Sequence, residues 1–171
     1  MSSFTIILGN QLFPISEVKK NIDNNIFMAE AQDLASHFKY HKQKILFFFT
    51  SMRDYRDELK KNNYQVHYDV FHEKNKKDNF IKKLDKYLRN TNFKKVKIHE
   101  IEDHFFENEL ISFLNKKCIE ITIIPSPMFL TTRDSFSEYV KSTKKPFMKT
   151  FYQNQRKKHD ILVKDGKPLG G

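Results

Sequence analysis

The chain has 171 residues, a length that favours a single domain with a hydrophobic core of its own. Its one cysteine, Cys118, excludes an internal disulfide framework and a four-cysteine cluster held by this chain alone, and its place beside an apolar run predicts a buried, inert thiol. The net charge of +10 favours a polyanion such as DNA as a partner, and a lysine-rich surface that only keeps the protein solvated is the alternative.

The first predicted element is a strand from Phe4 to Leu8. Its unbroken apolar and β-branched residues are typical of a central strand buried on both faces. The strand runs into a turn from Gly9 to Leu12. Because open α/β sheets bind ligands beyond the carboxyl ends of their strands, this turn is the first candidate site. It lacks the glycine-rich phosphate motif, and a plain strand-to-helix connection is the alternative.

Strands and helices then alternate along the chain. A second strand is predicted from Ile26 to Ala29, closed by Glu30, and the segment from Leu34 to Lys61 has the strongest helical periodicity. Further strands are predicted at 65–71, 96–101 and 119–124, with helices at 79–88 and 105–114. This alternation predicts the α/β class: a three-layer Rossmann-like, open, parallel five-stranded sheet with helices on both faces.

After Pro125 the pattern changes to helices without strands. A short helix is predicted from Ser135 to Val140, and a second helix with Pro146 as its first residue. No sixth strand follows that the apolar stripe of this second helix could cover; the stripe consists of Phe147, Met148, Phe151 and Tyr152. We therefore expect an α/β domain over 1–130 and a helical connector over 131–171.

The predicted topology brings a ring of candidate ligand-binding residues to the carboxyl edge of the sheet. Amide groups and apolar walls in such a ring fit a planar ring system better than a phosphate-rich ligand. His37 and His41 lie one helical turn apart, and they would line this pocket, bind phosphate or form an exposed surface pair. The ring comprises Gly9, Asn10, Gln11, Leu12, Glu30, His37, His41, Met128 and Phe129.

Catalytic and metal signals are weaker. The sequence has no nucleophile elbow, phosphate-binding loop or paired cysteines, so we assign no catalytic residue. The run from His99 to His104 contains metal-ligand residue types, but an acidic start to a helix explains it without a metal, and we assign no metal site. No leader segment and no apolar run of membrane-spanning length is present, so we expect a cytoplasmic protein without a membrane partner.

Three ordered segments carry a family resemblance: Leu8 to Leu12, His41 to Arg53, and Met148 to Gly171. They resemble the deoxyribodipyrimidine photolyase-related proteins, which are bacterial cryptochromes and (6-4) photolyases with an iron–sulfur cluster. The resemblance runs from Ile6 to the last residue and covers the N-terminal α/β domain of that family and the start of its connector.

The resemblance implies a role in light-dependent repair of DNA photoproducts. It implies FAD and a [4Fe-4S] cluster in a C-terminal helical domain that this chain does not include, with DNA and that domain as partners. It also implies a ribityllumazine antenna beside Gly9 to Leu12 and the region from Glu30 to His41. Asn10 stands where family members usually have Asp, and Leu34 where an acidic residue is expected beside the lumazine. A blue-light receptor of the same family and a stand-alone α/β ligand-binding module are the alternatives.

Overall fold

The computed structural model describes residues 2–33 and 38–169. The chain forms two compact units that meet between Ser126 and Pro127 in the sequence. We call the N-terminal one unit 1 and the C-terminal one unit 2.

Unit 1 is built on a five-stranded parallel sheet, which confirms the predicted α/β class. The strand order is β3-β2-β1-β4-β5, and every neighbouring pair is parallel. The first strand is central, and its residues from Phe4 to Ile6 are completely buried, as the apolar run predicts. The strands are β1 Ser3–Ile6, β2 Asn25–Ala29, β3 Gln65–Asp69, β4 Lys95–His99 and β5 Glu120–Ile124.

Helices cover both faces of this sheet, so the three-layer arrangement is also confirmed. On one face, Phe80, Leu84 and Leu110 pack with alternate residues of the strands into one core cluster. On the other face, Val18 and Leu59 belong to a second cluster. The helices are α1 Ile15–Val18, α2 Lys42–Lys61, α3 Phe80–Arg89 and α4 His104–Lys116, with a 3-10 turn at Glu73–Asn75.

The long helix begins later than its periodicity predicts. It starts at Lys42, because His41 has an extended backbone and its Nδ1 accepts a hydrogen bond from the Gln43 N–H as an N-cap. Part of the predicted helix, residues 34–37, lies outside the described residues. The helix ends as expected at Asn62, and Asn63 takes a left-handed φ of 66°.

The prediction of a buried Cys118 is wrong. Cys118 lies just after the end of α4 with a left-handed φ of 56°, and its side chain is exposed. The next residue, Ile119, enters the core instead. A left-handed residue at the end of a helix reverses the chain direction, so the apolar run starts one residue later than the pattern indicates.

Unit 2 contains two helices and a short hairpin. The helices are α5 Arg133–Ser142 and α6 Met148–Lys158, and the hairpin joins β6 Val163–Lys164 to β7 Lys167–Pro168. The second helix starts two residues after Pro146, with Phe147 at its N-cap. The hairpin was not expected. No helix within the described residues is long and apolar enough to cross a membrane.

Candidate chromophore pocket

A pocket of about 280 Å³ lies at the carboxyl edge of the unit 1 sheet. Leu8, Gly9 and Asn10 reach it from the end of β1, and Ala29 and Ala31 reach it from the end of β2. This edge is the one at which open parallel sheets bind ligands. The small side chains after β2 leave the space open, because larger ones would fill it.

Gly9 is required for the close approach of α2 to the end of β1. A Cβ atom at this position would lie 2.4 Å from the Phe48 ring and 2.7 Å from the Met52 sulfur. Both distances are far below van der Waals contact, so any larger residue would displace the α2 side chains that line the pocket. The glycine of the turn therefore sets the position of one pocket wall.

The turn after Gly9 joins the loops that follow β1, β4 and β5. Asn10 Nδ2 donates to Glu102 Oε2 at 2.9 Å, and Gln11 Nε2 donates to the Glu100 carbonyl at 2.9 Å. The Ser126 N–H donates to Glu100 Oε2 at 3.1 Å. Gln11 is buried, so its amide serves this connection and does not line the pocket.

Glu30 is a completely buried carboxylate with four hydrogen-bond donors. Arg53 donates through Nε at 2.6 Å and Nη2 at 2.9 Å, the Tyr68 hydroxyl donates at 2.8 Å, and the Phe71 N–H donates at 2.9 Å. Burial alone would raise the pKa of Glu30, but Arg53, the Phe71 N–H and Tyr68 together hold that pKa below its ordinary value. Glu30 thus ties β2 to α2 and β3.

The remaining predicted site residues lie elsewhere. Leu12 packs with the core under α1 and α2, and His41 caps α2 with an exposed side chain. Leu34 and His37 fall outside the described residues. The structure therefore brings Gly9 and Asn10 to the pocket and places Gln11 and Glu30 in the hydrogen bonds that support its rim. Cofactor binding by this set stays a prediction.

The α2 side of the pocket is aromatic with one cation. Tyr40 precedes the helix, and the Lys44 Nζ lies 3.8 Å from the centroid of the Tyr40 ring. Ile45, Phe48 and Met52 continue the wall along the same face of α2. These apolar and aromatic surfaces suit the flat faces of a heteroaromatic ring, and Lys44 is placed to bind an electronegative group at its edge.

Three helices begin at this pocket. Lys44 belongs to the first turn of α2, Phe80 is the first residue of α3, and Asp103 is the N-cap of α4. Asp103 Oδ1 accepts hydrogen bonds from the N–H groups of Phe105 and Phe106. Helix N-termini carry a positive partial charge, so their convergence favours carbonyl oxygens or an anionic ring on a bound ligand.

A known protein family matches almost the whole chain. The family described as "Deoxyribodipyrimidine photo-lyase-related protein" matches residues 5–171. The chain belongs to this family. The resemblance carried by the three sequence segments is thereby confirmed.

Two relatives of this photolyase-related chain differ in length. The chain is 26% identical over 174 residues to the (6-4) photolyase of Agrobacterium fabrum, an alignment that covers 100% of this chain and 34% of that protein. It therefore spans about a third of the length of that photolyase. It is also 28% identical over 184 residues to an uncharacterized protein of Acanthamoeba polyphaga mimivirus, with 100% of this chain and 90% of the viral protein covered.

Several pocket residues of the photolyase-related chain were missed from sequence. Phe48 and Met52 fit the apolar periodicity of the long helix and pack against the sheet, and both residues also line the pocket. Asp103 belongs to the run after β4 that the sequence suggested only as a metal site, although the rule that selected the end of β1 applies equally to β4 and points to Ile101 and Asp103 as ligand contacts. Tyr40 and Lys44 gave no signal, because the predicted helix extended through them.

The acidic and histidine-rich run after β4 has separate structural roles. His99 is buried with its ring edge against Phe13, at 5.2 Å between centroids, while Glu100 and Asp103 accept backbone hydrogen bonds. Neither ring nitrogen of His99 has a hydrogen-bond partner of good geometry among the described residues. Among all the residues that the structure describes, no group of three or more His, Cys, Asp or Glu side chains is arranged to hold a metal ion.

Proposed function

We propose that this chain is the chromophore-holding α/β domain and connector of a protein that repairs DNA photoproducts, including (6-4) products, in light. The observation that carries the proposal is the aromatic, edge-of-sheet pocket between Gly9, Lys44 and Asp103 in a member of the photolyase-related family. Its ligand would be a ribityllumazine antenna. Such a chromophore, when bound, absorbs blue light and passes the excitation energy to a flavin.

The pocket residues have distinct roles in this proposal. Phe48 and Tyr40 would contact the ring faces, and the glycine backbone at position 9 leaves room for α2 to approach. Lys44 and the helix N-termini would bind the ring carbonyls. Apolar Ile45 and Ile101 would exclude water from the ring edge.

The flavin and cluster chemistry lies outside this chain in the proposal. FAD and the [4Fe-4S] cluster would belong to a C-terminal helical domain, and DNA would reach the protein chiefly through that domain. Unit 2 offers an exposed apolar surface for its docking, at Phe147, Met148 and Tyr152. The chain covers 34% of the Agrobacterium (6-4) photolyase, so a protein of that length has room for such a domain.

A titration with ribityllumazine tests the pocket. We expect the lumazine fluorescence to change in a saturable, one-to-one manner on addition of the purified chain. Lys44→Met should weaken the affinity by about tenfold, which corresponds to the loss of one charge-assisted hydrogen bond of roughly 1.4 kcal/mol. The matched control, Lys60→Met, removes an exposed lysine from the far end of the same helix and should leave the affinity unchanged. A lack of saturable change with the wild-type chain would count against the antenna.

Repair is tested separately in a whole protein that carries this chain. Illumination with DNA containing a (6-4) lesion should restore the undamaged bases. If the lesion persists while the flavin is photoreduced normally, the blue-light receptor of the same family becomes the better description.

A second candidate is a stand-alone α/β ligand-binding module. The viral relative favours it, since 90% of that protein is matched by this chain and little of it remains for a separate catalytic domain. A module of this kind would bind its ligand and remain monomeric without a partner. If the chain self-associates and the substitutions Met148→Ser and Tyr152→Ser abolish this, unit 2 instead carries a docking surface that lacks its partner. Sedimentation velocity distinguishes the monomer from the self-associating chain.

A further inference from the structure

The hairpin of unit 2 places two lysines directly opposite each other. Asp165 and Gly166 form its turn with φ values of 51° and 73°, the positive values required by a tight hairpin turn. The resulting register pairs Lys164 with Lys167 across the strands. Like charges at directly opposed positions destabilise a strand pair, and the described part of the chain provides neither lysine with an ion pair. Both ammonium groups are exposed and therefore accessible to an external anion.

A small basic pocket of about 230 Å³ lies between this hairpin and α6. Arg156 and Lys157 line it from the helix, and Lys167 lines it from β7. The other lining residues are Gln153, Val163 and Gly166, so no carboxylate contributes to its wall. Three cations therefore face one cavity without an acidic counterpart in it.

The backbone of the chain fixes the guanidinium of this pocket in place. Arg156 Nε donates to the Ile161 carbonyl at 3.1 Å, and Nη2 donates to the Leu162 carbonyl. The guanidinium also lies 5.7 Å from the Tyr152 ring. An arginine held by two carbonyls loses little side-chain entropy when it binds an anion, so the pocket is pre-organised.

Half of the basic residues of unit 2 lie in the segment of sequence that forms this pocket. Residues 127–171 contain ten basic and four acidic residues, and five of the ten are Arg156, Lys157, Lys158, Lys164 and Lys167. The acidic residues closest in sequence are Asp160 and Asp165, and neither lines the cavity. Lys164, which lies opposite Lys167 on the hairpin, extends the positive charge beyond the cavity, and this suits a ligand with several phosphates better than a single small anion.

We infer that this basic hairpin pocket binds the phosphodiester backbone of a nucleic acid without requiring flavin or light. One phosphate would lie among Arg156, Lys157 and Lys167, and a neighbouring phosphate would lie near Lys164. Neutralising several phosphates at once releases counterions, which supplies the binding free energy. The inference goes beyond the proposed function, which assigns the main DNA contact to a separate helical domain.

Binding of the full chain to a fluorescein-labelled random-sequence DNA duplex in the dark tests this inference. We expect binding whose affinity falls as the salt concentration rises. Lys164→Gln combined with Lys167→Gln should weaken it by about tenfold and lower the salt-dependence slope by about two, one for each lost phosphate contact. Lys60→Gln combined with Lys61→Gln is the matched control, because it makes the same charge change on an exposed part of unit 1. The control should change binding much less.

Three results would overturn the inference: no binding at low salt, equal weakening by the two double variants, or lysine-dependent binding to phosphatidylserine vesicles with none to the duplex. Equal weakening would show that net charge alone attracts the duplex. Urea unfolding of each variant verifies that it remains folded. The ribityllumazine affinity of the hairpin variant should stay at its wild-type value, so failure of the nucleic-acid site and failure of the chromophore pocket are separate outcomes.

Discussion

Arg53 and Glu30 form the ion pair that ties α2 to the carboxyl end of β2. The carboxylate is completely buried, whereas the arginine side chain is 43% exposed. Because α2 also carries Phe48 and Met52 on the pocket wall, this pair holds the wall at its distance from the sheet. The pair thus supports the pocket at the carboxyl edge of the sheet, although neither residue lines that pocket.

Removal of the arginine should destabilise unit 1. Arg53→Ala leaves the Glu30 carboxylate buried with only two of its four hydrogen bonds. We expect the free energy of unfolding to fall by roughly 2–3 kcal/mol. This loss is smaller than that for a fully buried ion pair, because the Arg53 side chain is partly exposed. Urea unfolding measures it. Lys76→Ala, which breaks an exposed pair with Glu73, is the control and should cause no measurable change. Equal effects of the two substitutions would contradict this role of the buried pair.

The stability should fall as the pH drops below 6.5 because of His99. Burial lowers the pKa of this imidazole from 6.5, and the Pro125 backbone with Glu100 and Glu102 offsets only part of that effect. The unfolded chain then binds a proton at a pH at which the folded chain does not, so stability decreases with falling pH down to the folded pKa. Unfolding free energies from pH 8 to pH 5 measure this slope.

His99→Phe should reduce that slope while keeping the ring contact with Phe13. His67, an exposed residue of β3, also has a lowered pKa, caused mainly by desolvation of its ring, which packs beside Tyr87, and it should account for part of the remaining slope. At pH 8 both rings are neutral in the folded and unfolded states, so the unfolding free energy of each variant at pH 8 serves as its reference value. An unchanged slope in His99→Phe would show that His99 is protonated equally in both states.

A methyl group at position 9 should damage both the fold and the pocket. In Gly9→Ala the new Cβ overlaps the Phe48 ring, and we expect a destabilisation of about 1–3 kcal/mol with weaker lumazine binding. The double variant with Phe48→Leu removes the overlapping ring atoms, so it should recover part of the stability but not the affinity. Additive costs in this double-mutant cycle would show that the two residues do not interact.

An acidic residue at position 10 should destabilise the protein more than alanine does at the same position. In Asn10→Asp two carboxylates would replace the hydrogen bond from Asn10 Nδ2 to Glu102, and their repulsion adds to the lost bond. We expect Asn10→Asp to be less stable than Asn10→Ala at pH 7, and the difference to shrink as the salt concentration rises, because salt screens the repulsion between exposed carboxylates. Adding Glu102→Gln to Asn10→Asp should restore the stability. A difference that Glu102→Gln leaves unchanged would exclude charge repulsion as its cause.

The sequence predicted the layers of the fold well and the pocket in part. Buried parallel strands such as β1 are long apolar runs, and the helix stripes have a clear period, so the elements and the α/β class followed from local pattern. The lateral strand order depends on which edge each crossover returns to, and no local signal reports it. The hairpin of unit 2 was missed because its strands have only two residues each.

Local sequence pattern predicted only some of the pocket residues. Gly9 and Asn10 were found because a strand end is recognisable in sequence, whereas Lys44 and Asp103 join them only through tertiary packing. Glu30 illustrates the opposite case: its place after β2 suggested a ligand contact, but its carboxylate accepts two hydrogen bonds from Arg53 of α2 instead. Sequence pattern identifies which residues reach an edge, and packing decides which of their polar groups remain available.

The position of bound ribityllumazine on the chain is the decisive test of the proposed antenna pocket. Amide chemical shifts of the isotopically labelled chain, recorded by NMR during addition of ribityllumazine, report which residues surround the ligand. We predict that the largest shifts cluster at Gly9, Asn10, Ala31 and Lys44, with smaller ones near Asp103. Saturable shifts confined to unit 2, or shifts spread evenly over the surface without saturation, would contradict it.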